Sequence, residues 1–210
     1  MERVAAESLG PARRPASGVG ASMNISEETI ARARRGDGEA FRLIFERYTR
    51  PVISFIFYMV GERGLAEELA QETFFRAYKS MGALGADARL SAWLFGIARN
   101  VARESLRERS REPRSVEMDD PAVAALCDEG PSPASALLDK EVGAAVRDAL
   151  AGLDEEKRLV FVLKVYQQKP YEEICRITGF SLPKVRNDLY RARAEMRRRL
   201  RRYLGESDEV

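Results

Sequence analysis

Nine basic side chains lie between Lys184 and Arg202, where only Asp188 and Glu195 oppose them, so the local net charge is +7. The chain as a whole carries a net charge of only +2. Guanidinium and ammonium groups bind phosphate, and Arg, Lys and Asn side chains also hydrogen-bond the edges of bases. Charge concentrated in this way indicates a polyanionic partner.

The position of this basic segment is determined by two short helical patterns that are joined by a glycine. Tyr171–Thr178 has the apolar spacing of a short helix, Gly179 follows it, and Ser181 is a suitable N-cap for a second helix. Pro183 is tolerated in the first turn of that helix. Two helices joined by a tight turn, the second one basic, predict a helix-turn-helix whose second helix suits a DNA major groove.

Helical spacing divides this motif into a core and an exposed face. The core between the two helices is expected to contain Ile174, Cys175, Ile177, Phe180, Val185 and Leu189. The side chains expected on the exposed face are Lys184, Arg186, Asn187 and Arg191. Lys and Arg reach guanine and Asn pairs with adenine, whereas Arg191 and Arg193 are better suited to phosphates. Cys175 fits the core as a small hydrophobe rather than as a redox sensor.

Asp188 and the C-terminal arginines each allow two interpretations. The Asp188 carboxylate either accepts a hydrogen bond from a cytosine amino group or pairs with Arg191 or Lys184 within the helix. The segment Arg197–Arg202 either attracts phosphate without sequence preference or is a solvated helix end. The DNA-facing helix just before it favours the first alternative.

Enzyme chemistry has little support in the sequence. The chain has no histidine, which excludes Ser-His and Cys-His nucleophile pairs, His-ligated metals and an imidazole base. It contains neither a phosphate-binding GxxxxGKS or GxxxxGKT loop nor a CxxC pair. Its carboxylates form no spacing that is typical of paired catalysis. We therefore expect no catalytic site, no metal site, no cofactor, and a protein that is not an enzyme.

Composition and length indicate a globular protein of one or two domains, with 210 residues, 45% hydrophobic and 32% charged. The most apolar segment, Val52–Val60, is too short to cross a membrane, which takes about 20 residues. No apolar stretch typical of a secretory signal follows Met1. Cys127 and Cys175 are isolated from each other, which is typical of a reduced interior. We therefore expect a cytoplasmic protein without membrane insertion.

The first half is expected to be helical from Ser26 onward, because no segment alternates as a strand would. Pro51 is expected to kink or restart a helix before Val52–Val60. A helix over about residues 65–80 aligns Leu65, Leu69, Phe74, Ala77 and Tyr78 toward the core. Another over about residues 91–109 aligns Trp93, Leu94, Ile97, Val101 and Leu106.

The composition changes abruptly between the two halves. Residues 115–141 hold seven acidic residues and one Lys, and prolines interrupt this stretch, as in an acidic linker. Helices resume near Ser135, and Asp154 caps another. We predict an all-α chain of two small helical domains joined by a flexible acidic linker. Its parts are a disordered extension (1–25), a first domain (26–112), the linker (113–136), a helix-turn-helix domain (137–204) and a tail (205–210).

Four segments resemble a known family. Ala66–Lys79 and Ala92–Val101 resemble conserved region 2 of bacterial RNA polymerase sigma factors, in particular the extracytoplasmic function (ECF, group 4) subfamily of the sigma-70 family. Ala149–Leu163 and Tyr171–Arg193 resemble region 4 of the same proteins. The resemblance covers about residues 26–110 and 136–204, in the order found in the family.

This resemblance implies a subunit that binds core RNA polymerase, recognises the −10 and −35 promoter elements and enables DNA-templated transcription initiation. Docking on the polymerase, at the β′ clamp helices and with the β subunit as a further partner, is implied for Glu68, Gln71, Glu72 and Arg76. Binding of the −10 strand is implied for Lys79, Arg89, Arg99, Asn100 and Arg103. Binding of the −35 duplex is implied for Ser181, Lys184, Arg186, Asn187, Arg191 and Arg193.

The resemblance also implies an anti-sigma factor as a partner. It allows the linker either to thread through polymerase channels as a nucleic-acid mimic or to act as a solubilising tether. Trp93 is either a base-stacking residue or part of the core, and its neighbours Leu94 and Ile97 favour the core. Lys184 stands where the family usually has a small Thr, and Asp188 where it usually has a base.

A stand-alone helix-turn-helix repressor or activator is the main alternative. It accounts for residues 137–204 but leaves Ala66–Val101 without a role. Copurification with core polymerase and promoter-specific transcription distinguish the two hypotheses.

Overall fold

The computed structural model describes residues 25–85, 88–111 and 133–203, and within these ranges every regular element is helical. The all-α prediction is confirmed. Residues 1–24 of the expected extension (1–25), most of the acidic linker and the C-terminal tail lie outside the described residues. The α-helices are α1 (Glu27–Arg34), α2 (Gly38–Val60), α3 (Arg63–Ser80), α4 (Leu90–Arg111), α5 (Pro133–Ala151), α6 (Glu155–Val165), α7 (Tyr171–Thr178) and α8 (Leu182–Leu200). Short 3-10 turns follow α3 at Met81–Ala83 and α8 at Arg201–Tyr203.

Side-chain caps begin the first two helices. The Ser26 hydroxyl accepts a hydrogen bond from the Thr29 backbone N–H at 3.2 Å and begins α1. The Asp37 carboxylate accepts from the Ala40 backbone N–H at 3.1 Å and begins α2. Each cap satisfies one of the backbone donors that a helix N-terminus leaves unpaired.

Helix α2 runs unbroken through Pro51, so it does not restart at this position, whereas the expected kink stays a prediction. A proline inside a helix costs about 3 kcal/mol through a lost hydrogen bond and a clash with the preceding turn. Tyr48, Val52, Phe55 and Ile56 surround Pro51 and are almost fully buried. Burying each such side chain contributes about 1.5–3 kcal/mol. Packing on both sides of Pro51 therefore outweighs its local cost.

Helices α3 and α4 pack on α2. Phe74 is buried and Leu69 lies partly buried against the core, as expected. Tyr78 was expected in the core but is 55% exposed, and its ring meets Phe41 edge-on at a centroid distance of 5.0 Å. Trp93 is half-buried and packs against the core, which leaves one side of its ring at the surface.

The second half contains the predicted helix-turn-helix. The Asp154 carboxylate accepts from the Glu156 backbone N–H at 3.0 Å and begins α6. Gly179 ends α7 with a φ of 75°, in the left-handed region, where glycine avoids the strain of a side chain. The Ser181 hydroxyl accepts from the Lys184 backbone N–H at 3.4 Å at the start of α8. Gly179 and Ser181 thus end α7 and begin α8 within the tight turn between them.

The two halves pack against each other. Helix α4 contacts α7, and α2 contacts α5 and α6. The buried apolar side chains of both halves form one continuous cluster. The described helices of the two regions therefore share one core.

Candidate nucleic-acid interface

The exposed face of α8 carries most of the side chains predicted to contact a DNA duplex. Arg186, Asn187, Arg191 and Arg193 are all exposed. Behind them Ile174, Ile177, Val185 and Leu189 are buried between α7 and α8, while Cys175 and Phe180 are half-buried. The apolar side fixes the orientation of α8, so its basic side faces solvent in one defined direction.

Lys184 lies on the same side of α8 but does not project freely, because its ammonium group is paired within the protein. Its ammonium group bonds a Glu156 carboxylate oxygen at 2.7 Å and an Asp188 oxygen at 2.9 Å. It also lies 4.6 Å from the centre of the Phe180 ring. Hydrogen bonds to Glu156 and then to Asp188 raise the pKa of the Lys184 ammonium. Lys184 is thus engaged by two carboxylates within the protein.

Asp188 is buried beside that ammonium. Of the two interpretations of Asp188, the described structure therefore contains the ion pair with Lys184. A buried carboxylate that already accepts from an ammonium is poorly placed to reach a cytosine.

A cleft of about 570 Å³ brings together three of the five residues predicted for the −10 strand. Arg89, Arg99 and Asn100 line it, together with one side of Trp93. Its opposite wall comes from α7, through Arg176 and Ile177. The cleft thus combines guanidinium groups, an amide and an aromatic face, the groups that bind single-stranded nucleic acid.

The other two predicted −10 residues do not line this cleft. The Lys79 ammonium lies over the Phe75 ring, 4.0 Å from its centre. Arg103 pairs with Glu155 of α6 at 2.9 Å. The structure therefore separates the predicted set into a cleft and two flanking cations.

Arg99 is held by three hydrogen bonds. Its Nη1 donates to the Ile177 carbonyl oxygen at 2.7 Å, and its Nε and Nη2 donate to the Asn100 amide oxygen at 3.2 and 2.9 Å. Burial, and secondarily the Arg103 charge, lower the pKa of the Arg99 guanidinium, although arginine stays protonated in proteins. Because Arg99 uses the Asn100 oxygen, the Asn100 NH₂ group is the part of that amide left for another acceptor.

The four residues predicted to dock on polymerase lie along α3. Glu68 and Gln71 are exposed. Arg76 pairs with Glu72 at 2.7 Å and with Glu104 of α4, also at 2.7 Å. Both carboxylates raise the pKa of the Arg76 guanidinium. Arg76 therefore connects α3 to α4, Glu72 pairs with it within α3, and Glu68 and Gln71 are available at the surface.

Family models match both halves of the chain. Residues 44–112 match sigma-70 region 2, and residues 143–196 match sigma-70 region 4. The chain is 30% identical to the RNA polymerase sigma-H factor of Pseudomonas aeruginosa over 188 residues, which cover 86% of this chain and 96% of that protein. The chain belongs to the sigma-70 family of RNA polymerase sigma factors.

The resemblance stated from the sequence is thereby confirmed, and the ECF subfamily is supported as well. This sigma factor is 29% identical to the ECF RNA polymerase sigma-E factor of Salmonella typhimurium over 78% of its length and 88% of that protein. Its fold matches that of CnrH, solved with the cytosolic domain of CnrY, with a TM-score of 0.64, 23% identity and coverage of 83% and 96%. It also matches RpoE of Bartonella quintana, solved with the anti-sigma factor NepR, with a TM-score of 0.62, 22% identity and coverage of 77% and 96%.

Three exposed side chains of the sigma factor were missed by the sequence reasoning. Tyr190 is 74% exposed and lies one turn beyond Arg186 and Asn187 on α8. Phe75 is 52% exposed and follows Gln71 by one turn on α3. Arg176 lines the cleft beside α4 from α7. The spacing of three or four residues that places side chains on one helix face could have identified Tyr190 and Phe75 from the sequence. Arg176 could not be identified in this way, because its position in the cleft depends on the packing of α7 on α4.

The described part of the chain has neither a membrane-spanning helix nor a metal-binding cluster. No helix there is both long and apolar enough to span a bilayer. Nor do its Cys, Asp and Glu side chains form a group of three or more that would hold a metal ion.

Proposed function

We propose that this sigma factor directs core RNA polymerase to promoters through two DNA-binding surfaces and one docking surface. The −35 surface is the exposed side of α8, the −10 surface is the cleft beside α4, and the docking surface is the exposed side of α3. The observation that carries the proposal is the basic, outward side of α8 held on a buried helix-turn-helix core.

The −35 surface suits a DNA major groove. Arg186 and Asn187 lie in the second turn of α8, the part of a recognition helix that meets base edges. Arg191 and Arg193 lie further along and hold phosphates. Ser181 is exposed at the N-terminus of α8, where backbone N–H groups and the helix dipole favour a phosphate. Tyr190 joins this surface as a contact for sugar or phosphate.

The −10 surface suits an unpaired strand. Arg89 and Arg99 neutralise phosphates at the cleft, the Asn100 NH₂ group meets a base edge, and the exposed side of Trp93 stacks on a base. Lys79 and Arg103 extend the basic track on either side. Trp93 thereby serves both as a core residue and as part of the cleft.

The docking surface combines polar and aromatic groups on α3. Glu68 and Gln71 are its free polar residues, Phe75 lies one turn beyond Gln71, and the Glu72–Arg76 pair borders it. Aromatic residues are enriched at protein interfaces, so Phe75 supports docking on a partner protein. We assign this surface to the polymerase β′ clamp helices.

The remaining features are proposed from the family. The domains span residues 26–112 and 137–204, and the sigma factor acts in the cytoplasm as a non-catalytic subunit. RpoE, which shares its fold, was solved with an anti-sigma factor, and we propose a partner of that kind here.

Transcription from a randomised promoter library tests the function. Purified core polymerase with this chain should yield run-off transcripts from a subset of templates that share two elements, and the chain should copurify with core. Failure of both, with operator binding retained, would instead identify a stand-alone repressor or activator.

A matched pair of variants tests the docking surface. Glu68→Lys should weaken core binding about tenfold or more, because a misplaced charge at an interface costs several kcal/mol. Glu108→Lys, an exposed position on α4, should leave core binding unchanged. Equal effects of the two variants would remove α3 from the docking surface.

A further inference from the structure

The cleft beside α4 is lined by guanidinium groups from both halves of the chain. Arg89 reaches it from the segment before α4, Arg99 from α4 itself and Arg176 from α7. The described lining contains no Asp or Glu. Arginine stays charged in proteins and binds phosphate oxygens through its planar fork of donors. Three such cations without a carboxylate in one cleft form a site for an anion.

The charge of Arg99 is the least compensated by solvent. Arg99 is half-buried, whereas Arg89 and Arg176 are exposed. Its guanidinium donates to the Ile177 carbonyl oxygen at 2.7 Å and to the Asn100 amide oxygen at 2.9 and 3.2 Å, and both acceptors are uncharged. Burial, followed by the charge of Arg103, lowers the pKa of the Arg99 guanidinium. An anion bound in the cleft would stabilise this charge.

An indole ring and two aliphatic side chains form the apolar part of the lining. Trp93 and Ile97 are half-buried on α4, and Ile177 is buried on α7. The flat face of an aromatic ring stacks on any nucleobase. The Asn100 NH₂ group, which lies at the same cleft, can donate to the edge of such a base.

Small residues of α4 leave the cleft open. Ala92 and Gly96 are one turn apart in its lining, and a Cβ added at Gly96 would meet nothing within 4 Å. The volume of about 570 Å³ lies in the range of about 300–1,000 Å³ that is typical of small-molecule sites. Lys79 and Arg103 do not line it, so its cations form a compact group. Such a group suits a small ligand that carries several negative charges.

We propose that this cleft is a binding site for a nucleotide with two or more phosphates, whose base stacks on Trp93. Its phosphates are bound by Arg89, Arg99 and Arg176. Region 2 provides the stacking face and two of the guanidinium groups, and region 4 provides the third. The ligand therefore bridges the two regions and stabilises their packing. This role goes beyond the proposed function, because the −10 surface does not include Arg176.

Titration with adenosine diphosphate (ADP) tests the site. Trp93 is the only tryptophan of the chain, so its emission reports on the cleft. ADP should bind the full chain at one site, with a saturable change in Trp93 emission and a raised thermal midpoint. Adenosine and inorganic pyrophosphate each carry only one part of the ligand. In calorimetric titrations both should bind about tenfold or more weakly than ADP.

Two matched pairs of variants locate the ligand. Arg176→Ala should weaken ADP binding about tenfold or more through the loss of hydrogen bonds to a charged group. Arg107→Ala removes an exposed charge of α4 outside the cleft and should leave ADP binding unchanged. Gly96→Leu fills the cleft and should abolish ADP binding, whereas Gly64→Leu adds the same side chain in open space on α3 and should not. Circular dichroism checks that all four variants keep the fold.

Absence of saturable ADP binding would overturn the nucleotide site, as would a change in Trp93 emission with a single-stranded oligonucleotide alone. Equal losses in Arg176→Ala and Arg107→Ala would overturn it as well. Pyrophosphate that binds as tightly as ADP would mean a plain phosphate site without a role for Trp93. Failure of the proposed function is distinguishable, because the titration needs neither polymerase nor promoter DNA.

Discussion

At the scale of single residues, the Lys184–Asp188 ion pair means that the DNA-facing side of α8 is not uniformly basic. The Lys184 ammonium lies between Glu156 and Asp188, at 2.7 and 2.9 Å. A cation neutralised twice within the protein contributes little to phosphate binding. The DNA contacts of α8 are therefore expected from Ser181 at its N-terminus and from Arg186 and Asn187 onward.

Releasing Lys184 should strengthen non-specific DNA binding. In Glu156→Gln with Asp188→Asn, the slope of log K against log salt should steepen by about 0.9, the contribution of one added phosphate contact on duplex DNA. Adding Lys184→Ala should restore the original slope. An unchanged slope, with a lost preference for cytosine at one position, would mean that Asp188 reads a base instead.

At the scale of elements, the turn between α7 and α8 depends on one backbone conformation. Gly179 has a φ of 75°, and a side chain in that region is strained. Gly179→Ala should destabilise the fold by about 1 kcal/mol and lower the thermal midpoint. At Gly64 in α3 an added Cβ would meet open space, and the backbone there is ordinary helix. Gly64→Ala should therefore be neutral or slightly stabilising. Equal midpoints for the two variants would contradict this account of the turn.

The cap of α2 gives the fold a pH-dependent contribution. The Ala40 backbone N–H, then the Arg32 side chain, lower the pKa of the Asp37 carboxyl below its usual 3.8. A lowered folded-state pKa contributes stability above the unfolded value that is lost as the pH falls through the folded value. Wild type should therefore unfold at a higher temperature than Asp37→Asn at pH 7, and the difference should shrink as the pH falls below about 4 and through the lower folded-state pKa. A constant difference across that range would contradict the assignment.

Local patterns predicted most elements correctly, because caps and helical spacing act over a few residues. Ser26, Asp154 and Ser181 begin helices as expected. A restart at Pro51 was an alternative because local chemistry disfavours proline inside a helix, whereas the burial of Tyr48, Val52 and Phe55 around it depends on tertiary packing. Tyr78 was misjudged because the apolar stripe of α3 is wider than the surface that α2 and α4 cover.

At the scale of the whole molecule, the packing of region 4 on region 2 could not be predicted from the sequence. Arg99 and Arg103 were identified from their type and position, but their partners Ile177 and Glu155 lie over 50 residues away. The acidic linker between the two predicted domains suggested that each domain is an independent folding unit. The shared core instead predicts that the regions unfold together.

Calorimetry tests this cooperativity. The full chain should unfold in one transition whose calorimetric and van't Hoff enthalpies agree. The Ser91 hydroxyl of α4 donates to the Glu173 carboxylate and accepts from the Lys169 ammonium, both next to α7. Ser91→Ala should therefore lower the stability of that single transition by about 1.5–3 kcal/mol, the usual contribution of hydrogen bonds to charged groups. Two resolved transitions, with only one of them sensitive to Ser91→Ala, would mean that the regions fold independently.

The central claim is that one chain reads two promoter elements for core polymerase. Run-off transcription with purified core tests it most directly, on a selected promoter and on two copies with either the −10 or the −35 element scrambled. The intact promoter should give a transcript that depends on this chain, and each scrambled copy should lose about tenfold or more, since each mismatched base pair costs about 1–3 kcal/mol. Equal transcription from all three templates, or none with an active core enzyme, would contradict the account.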